Sequence, residues 1–260
     1  MHYYVTSDTH GFFDPLHKAL TDAGFFKDTE PKKLILCGDM MDRGGQAVEM
    51  QNFMLDLLQK DELIFIRGNH EDLMRDFLRD FSAAKDREMF LLWNGQHHLS
   101  NGTFGTACQL AGMEPKEVWE NTGQFISRVM HSVFLQNLIP AAVDFYGTER
   151  FVFTHGFIPC GDPRNPKYHS DWRNSSKSDW ETARWINGMK AAEVHGIREP
   201  DKTIVCGHWN ASYGHCHLEG SCTSEFGVRA DHATYYGCGV IGLDACVAAS
   251  GLVNILTFAE

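Results

Sequence analysis

Residues 34–44 read Leu34-Ile35-Leu36-Cys37-Gly38-Asp39-Met40-Met41-Asp42-Arg43-Gly44. Four apolar residues are too few for a helix, and they run straight into a glycine, two carboxylates and an arginine. The pattern predicts a buried strand that delivers charged side chains at its C-terminal end, where open α/β sheets assemble their sites. Asp39 comes directly off the strand as a hard oxygen ligand, and Asp42 and Arg43 follow on a turn that Gly44 and Gly45 let bend back. A single strand ending in Asp is equally the N-cap of an ordinary βα turn, so the reading depends on whether other strands end alike.

Four others do. The runs Tyr3-Tyr4-Val5-Thr6-Ser7, Leu63-Ile64-Phe65-Ile66-Arg67, Phe151-Val152-Phe153-Thr154 and Thr203-Ile204-Val205-Cys206 lead into Asp8-Thr9-His10-Gly11, Gly68-Asn69-His70-Glu71, His155-Gly156 and Gly207-His208. Between the first strands, Leu16, Ala19, Leu20 and Ala23 recur at helical spacing, and Gly24 can end that helix. Gln46 to Lys60 carries Val48, Met50, Phe53, Met54, Leu57 and Leu58 in the same way. Strand, helix and strand in alternation predict an α/β fold on a mixed sheet with parallel neighbours.

From Glu71 to Asn137 the helical periodicity of Leu73, Phe77, Phe81, Val118, Phe125 and Val129 predicts a helical cap. Trp93 to Thr106, rich in Gly, Asn, Ser and His, reads as a loop, either at the mouth of the site or as an ordinary surface connection. Ala142–Tyr146 and Phe151–Thr154 predict a hairpin, Cys160–Ser176 a loop, and Trp180–Val194 a helix. Gly239–Ala245 and Leu252–Phe258 predict a closing pair of strands.

The 260 residues suffice for a sizeable core, and the alternation argues for one domain over 1–260. A formal charge of -11 with no basic run argues against a nucleic-acid polymer or an anionic membrane as partner. No apolar run reaches membrane-spanning length. Met1-His2-Tyr3 enters the first strand with no secretory leader, which predicts a cytoplasmic protein whose eight cysteines are thiols. His215, Cys216, His217 and Cys222 form a zinc candidate, but their spacing fits no familiar pattern.

Taken in order, Asp8-x-His10-Gly11, Gly38-Asp39-x-x-Asp42-Arg43-Gly44, Arg67-Gly68-Asn69-His70-Glu71, His155-Gly156 and Gly207-His208 resemble the signature of the calcineurin-like metallophosphoesterases, and of their phosphoprotein phosphatase branch in particular. The likeness extends to Leu138-Ile139-Pro140-Ala141-Ala142, Ile158-Pro159 and Ile241-Gly242-Leu243-Asp244. It implies a β-sandwich flanked by helices, with a helical cap inserted at about 72–137. It further implies a phosphoester hydrolase in which two metal ions clamp the phosphate and activate a bridging hydroxide.

By that resemblance Asp8, His10 and Asp39 hold one metal, Asp39, Asn69, His155 and His208 hold the other, and Asp39 bridges. Imidazole, carboxylate and amide without thiolate suit manganese first, with iron or zinc as alternatives. His70 would protonate the leaving oxygen, oriented by Asp42, while Arg43, Asn69 and His70 face the phosphate. Arg67 either touches phosphate or supports its loop. Some relatives carry a second phosphate-binding arginine in a Trp-x-Arg triplet. This chain has Trp185-Ile186-Asn187 instead, leaving Arg173 beside Trp172, ahead of Arg184, to fill the role.

Many related metallophosphoesterases end on Gly-His-x-His. Gly207-His208-Trp209-Asn210 lacks that second histidine, which favours the phosphoprotein phosphatase branch. The implied substrates are phosphomonoesters, with phosphoserine and phosphothreonine of proteins first. The alternatives are a symmetrical dinucleoside tetraphosphatase and a non-catalytic binding module on the same fold.

Overall fold

Alternating side chains of the first strands serve two different cores, and that alternation sets the architecture. The computed structural model describes all of residues 1–260. Strands β1 (His2–Thr6), β2 (Lys32–Cys37) and β3 (Leu63–Ile66) are parallel, with Val5 opposite Ile35 and Ile35 opposite Ile64. Tyr4, Leu34, Leu36, Leu63 and Phe65 face a core covered by helices. Tyr3, Val5, Ile35, Cys37 and Ile66 face a second sheet, meeting Phe153, Val205, Ile241 and Leu243.

That second sheet is built from β4 (Tyr146–Gly147), β5 (Phe151–Phe153), β6 (Thr203–Cys206), β7 (Tyr235–Gly237) and β8 (Val240–Gly242), in the order β4-β5-β6-β8-β7. The first sheet is completed by β9 (Leu256–Ala259), antiparallel to β1, in the order β3-β2-β1-β9. The result is a mixed α/β fold, two sheets face to face with helices on both outer sides.

The closing strands correct the sequence reading. Gly239–Ala245 and Leu252–Phe258 do not pair with one another. Val240–Gly242 joins the second sheet, and its antiparallel partner is Tyr235–Gly237, which the sequence reading missed; Leu256–Ala259 returns to the first sheet. The hairpin Tyr146–Phe153 is present as expected.

Helices α1 (Phe13–Asp22) and α2 (Ala47–Gln59) form the crossovers of the first sheet, and the turn after α1 passes through Gly24 at φ 88°. The predicted helical region is helical: α3 (Asn69–Ala83), α4 (Arg87–Trp93), α5 (Gln96–Ser100), α6 (Thr103–Ala111), α7 (Pro115–Glu120) and α8 (Thr122–Met130). A π-turn at Phe134–Leu138 then runs into the single turn α9 (Ile139–Ala141). Trp93–Thr106 is therefore not one loop. His98, Thr103 and Phe104 are buried there, and that tertiary burial overrides the local Gly, Asn and Ser signals.

The predicted Trp180–Val194 helix is two helices, α10 (Lys177–Ala183) and α11 (Gly188–Glu193), broken at 184–187 where the Asn187 side chain accepts from the Lys190 N–H and starts the second. All eight cysteines are free thiols, and Cys37 and Cys206 are buried as expected. Hydrogen bonds engage the zinc candidate instead: His215 contacts Glu219 and the Ala233 carbonyl, and His217 contacts Glu225. No helix is long and apolar enough to cross a membrane.

Candidate active site

Loops leaving the C-terminal ends of β1, β2, β3, β5 and β6 converge where the two sheets meet. They bury Asp8, His10, Asp39, Asp42, Asn69, His70 and His155, with His208 partly exposed at the rim. Nine non-glycine residues of the chain have positive φ, and six of them are Asp8, His10, Asp39, Asp42, Arg43 and His208. Backbone held in that region costs free energy and persists where surrounding contacts enforce it, as they do at functional loops. The loops also touch without room for side chains. A Cβ on Gly68 would lie 2.2 Å from Asp39 Oδ1, and one on Gly207 would lie 2.0 Å from Asp8 Oδ2.

Asp39 is the centre. His10, Asp39 and His70 form one group able to hold a metal ion, and Asp39, His155 and His208 form another. His155 Nε2 lies 3.3 Å from Asp39 Oδ1, while His10 Nε2 lies 3.9 Å from both Asp39 Oδ2 and Asp8 Oδ1. His70 N–H donates to Asp39 Oδ1 at 3.0 Å, placing that carboxylate at the N-terminal end of α3 where the helix dipole favours negative charge.

The donor atoms fit a cation. His155 Nδ1 lies 2.8 Å from the Cys37 carbonyl, to which it donates, so its Nε2 presents a lone pair. That lone pair faces Asn69 Oδ1 at 2.8 Å, a second acceptor, with the Asp39 carboxylate beside both. Three lone-pair donors pointing together are what a divalent ion resolves. His10 repeats the pattern, Nδ1 donating to the Met41 carbonyl at 3.0 Å and Nε2 turned inward, where the Arg43 guanidinium stands in as the cation at 2.8 Å.

Electrostatics agree. Burial pushes His10 and His208 down to about 3, which keeps both rings neutral as metal ligation requires. Burial and the neighbouring Asp39 charge push Asp8 up to about 8. Asp39 is itself opposed by burial, but the surrounding imidazoles hold it below the usual carboxylate range. His70 is also opposed by burial, yet the Asp39 carboxylate and the hydrogen bond to Asp42 raise it to about 9. His70 Nδ1 donates to Asp42 Oδ2 at 2.7 Å, and Arg43 Nη2 lies 3.3 Å from His70 Nε2.

Three residues join the site that sequence reasoning did not assign to it. Glu71 lies inside the quoted motif, and its carboxylate accepts from the backbone N–H groups of Asp39, Met40 and Gly68 at 3.0, 3.0 and 2.7 Å, tying the β2 and β3 loops together. Thr103 Oγ1, from α6 of the cap, donates to Asp42 Oδ2 at 2.8 Å. Asp244, just past β8, is a further buried carboxylate near Asp8 and Asp39, and burial raises it well above the usual range.

The arginines reorder the expectations. Arg67 donates from Nη2 to the Ile139 carbonyl at 3.2 Å, a loop-supporting contact. Arg173 is not brought to the cluster by any hydrogen bond. It pairs with Glu199 at 2.7 Å and stacks on Trp172. Arg184, the other candidate, is 3% exposed and pairs with Asp72 and Asp144, at the break after α10.

A mixed α/β sandwich that gathers buried carboxylates and imidazoles at its strand ends is the architecture of a metallohydrolase. A profile of the calcineurin-like phosphoesterases matches residues 1–239, and the chain belongs to that family. Among curated relatives, the symmetrical bis(5'-nucleosyl)-tetraphosphatase of Xylella fastidiosa is 26% identical over 239 residues, covering 81% of this chain and 79% of that protein. The enzyme of the same name from Pseudomonas syringae is 26% identical over 242 residues, covering 82% and 80%. Among solved structures, the cold-active protein-tyrosine phosphatase of a psychrophilic Shewanella aligns with a TM-score of 0.51 at 15% identity, covering 100% of this chain and 75% of that one, a likeness of fold. The calcineurin-like family uses divalent metals, and these relatives are named as dinucleoside tetraphosphatases rather than serine/threonine phosphatases.

Proposed function

We propose that the chain is a two-metal phosphoric ester hydrolase whose substrate is a dinucleoside polyphosphate. The observation that carries the hydrolase reading is the pair of ligand groups sharing Asp39. In this reading Asp8 takes the place of His70 in the first group, because His70 is raised to about 9 and its protonated ring, bonded to Asp42, has no lone pair to give. Asp8, His10 and Asp39 then hold one divalent ion, and Asp39, Asn69, His155 and His208 hold the other. Bound there, the ions supply Lewis-acid neutralisation of phosphoryl charge and activation of water at neutral pH, and manganese is the first metal to test, then iron and zinc.

The remaining roles belong to side chains. Arg43 offers a planar fork to the phosphoryl oxygens once it releases His10. Asp42 orients His70, which holds a proton at Nε2 for the departing oxygen. Glu71 fixes the two loops that carry Asp39 and Asn69. A second phosphate-binding cation at Arg173 has no geometric support, since Glu199 and Trp172 already hold that side chain.

The curated relatives support the dinucleoside substrate. Phosphoserine and phosphothreonine in proteins are the second reading, favoured by the motif order and by Trp209-Asn210 following His208. The deciding assay presents diadenosine tetraphosphate and phosphopeptides side by side to the manganese-loaded protein. Release of nucleoside diphosphates is the expected result, and turnover of phosphopeptides alone would transfer the assignment to the second reading. Bound metal without turnover of either substrate, or of an aryl phosphate, would leave only a binding module.

A further inference from the structure

One cavity reaches the buried cluster at Asn69. It is a groove of about 330 Å³ with Asn69 at its inner end, Leu73, Arg75 and Asp76 of α3 along one side, and Lys177 and Trp185 along the other. Trp185 is 54% exposed, and its indole meets the His208 ring edge-on, with centroids 5.5 Å apart and planes at 88°. The aromatic therefore stands at the boundary between the candidate metal ligands and open solvent.

Its position is enforced. Arg184, the preceding residue, is buried and paired with Asp72 of α3 and with Asp144 before β4. The Ala183 carbonyl accepts from Phe157 N–H at 3.1 Å, tying the same segment to the loop that carries His155. The ion pairs of the buried arginine beside it thus hold the indole out over the groove, an aromatic face open to a ligand next to the candidate metal ligands.

We propose that this groove is the subsite for one nucleoside of the substrate, with the base stacked on Trp185 and the sugar and phosphates directed toward Asn69. The inference rests on the hydrolase reading above and adds the residues that select the leaving portion. The remaining lining decides the ligand's chemistry. Asp72, Arg75, Asp76, Arg79, Lys177 and Glu181 line the same groove as the indole, so an apolar peptide side chain entering here would strip water from charges it cannot pair. A nucleoside presents a flat π face to the indole and a rim of hydroxyls and heteroatoms to the charges. The two cations are free to turn: Arg75 reaches Asp72 only at 3.7 Å and Lys177 reaches Glu181 at 3.5 Å, both partly exposed pairs that hold weakly, whereas Asp76 is paired with Arg79 at 2.6 Å.

The test compares AMP with ribose 5-phosphate, which share the phosphate and sugar and differ by the base. With manganese present, each is titrated calorimetrically and as an inhibitor of aryl-phosphate turnover. AMP is expected to bind roughly ten-fold or more tightly than ribose 5-phosphate, the usual worth of one stacked base. Trp185→Ala should bring that ratio close to one, and Trp185→Phe, which keeps an aromatic face, should retain most of it. Equal binding of the two ligands by the wild type, or an unchanged ratio in Trp185→Ala, overturns the subsite. A phosphopeptide that loses affinity in Trp185→Ala while AMP does not would assign the groove to peptide and equally overturn it. Calorimetry reads the groove even where turnover is absent, so failure of the hydrolase reading and failure of the subsite give different results.

Discussion

Asp39 is the carboxylate that both candidate ligand groups share, whereas His10 and His155 each serve one. An amide in its place keeps the size and removes the charge between the ions. Asp39→Asn should therefore fail to retain two metals and lose turnover, and metal analysis finding two ions in that variant would end the shared-ligand assignment. His70 belongs to a different step. His70→Asn should keep both metals and lose roughly two to four orders of magnitude in rate, and less for an aryl phosphate whose leaving group needs no proton. Thr103 acts through Asp42, where its hydroxyl is the second donor to Oδ2. Thr103→Val should lower kcat about ten-fold at unchanged KM and metal content, in line with one hydrogen bond to a charged group, and Thr103→Ser should restore it. An effect on KM alone would count against that role. Asp8, His10, Asp39, Asn69, His70, His155 and His208 were legible because each lies within four residues of the end of a strand-like apolar run. Thr103 was not, since it lies 61 residues from Asp42 in a stretch whose composition reads as loop.

The elements were legible where periodicity and burial agree, and they were missed where tertiary contacts decide. The βα alternation through β3, α1 and α2 announces itself through apolar spacing and Gly24. The two short C-terminal strands carry no signal for which sheet they enter, so β8 and β9 read as partners although the chain crosses between sheets after Leu243. The cap is the clearest case. Helices α5 and α6 form because His98 and Phe104 turn inward against Phe77 of α3. That burial has a cost at His98, whose two ring nitrogens hydrogen-bond no protein group and whose pKa burial pushes down to about 4, with His97 adding to the shift. The unfolded chain takes up this proton below about 6.5 while the folded chain does not, so this group's contribution to stability is present above that pH and is lost as pH falls toward 4. His98→Leu should flatten the urea-midpoint slope between about pH 6.5 and 4.5 and leave stability at pH 7 equal or higher, since it also removes two unpaired polar atoms. An unchanged slope would place the acid sensitivity in other groups.

At the scale of the whole molecule, the candidate ligands come from both sheets: Asp8, Asp39 and Asn69 follow strands of the first, and His155 and His208 follow strands of the second. The apolar interface between the sheets is the smallest of the three cores, nine residues against thirty and seventeen on the outer faces. Ions bound between the strand ends would therefore reinforce the junction with the least hydrophobic support. An ion at a hundred times its dissociation constant adds about 2.7 kcal/mol to a folded state that alone binds it. Without metal the same place is a liability, because Asp8 is pushed up to about 8 by burial and the Asp39 charge. The folded chain keeps that proton while the unfolded chain releases it near 4, so this group's contribution to stability is present below about 4 and is lost as pH rises through about 8. Between about pH 6.5 and 8.5, above the His98 window, the urea midpoint of the metal-free protein should fall. The gap to the manganese-loaded protein should widen over the same range, because the ligands then bind metal without first losing a proton. Asp8→Asn should reduce the metal-free slope without abolishing it, because Glu71, raised to about 7, and His70, raised to about 9, also keep protons in the folded chain that the unfolded chain releases. A metal-free midpoint that rises through this range, or an Asp8→Asn slope equal to that of the wild type, would show that Asp8 does not govern the pH response of the junction between the two sheets.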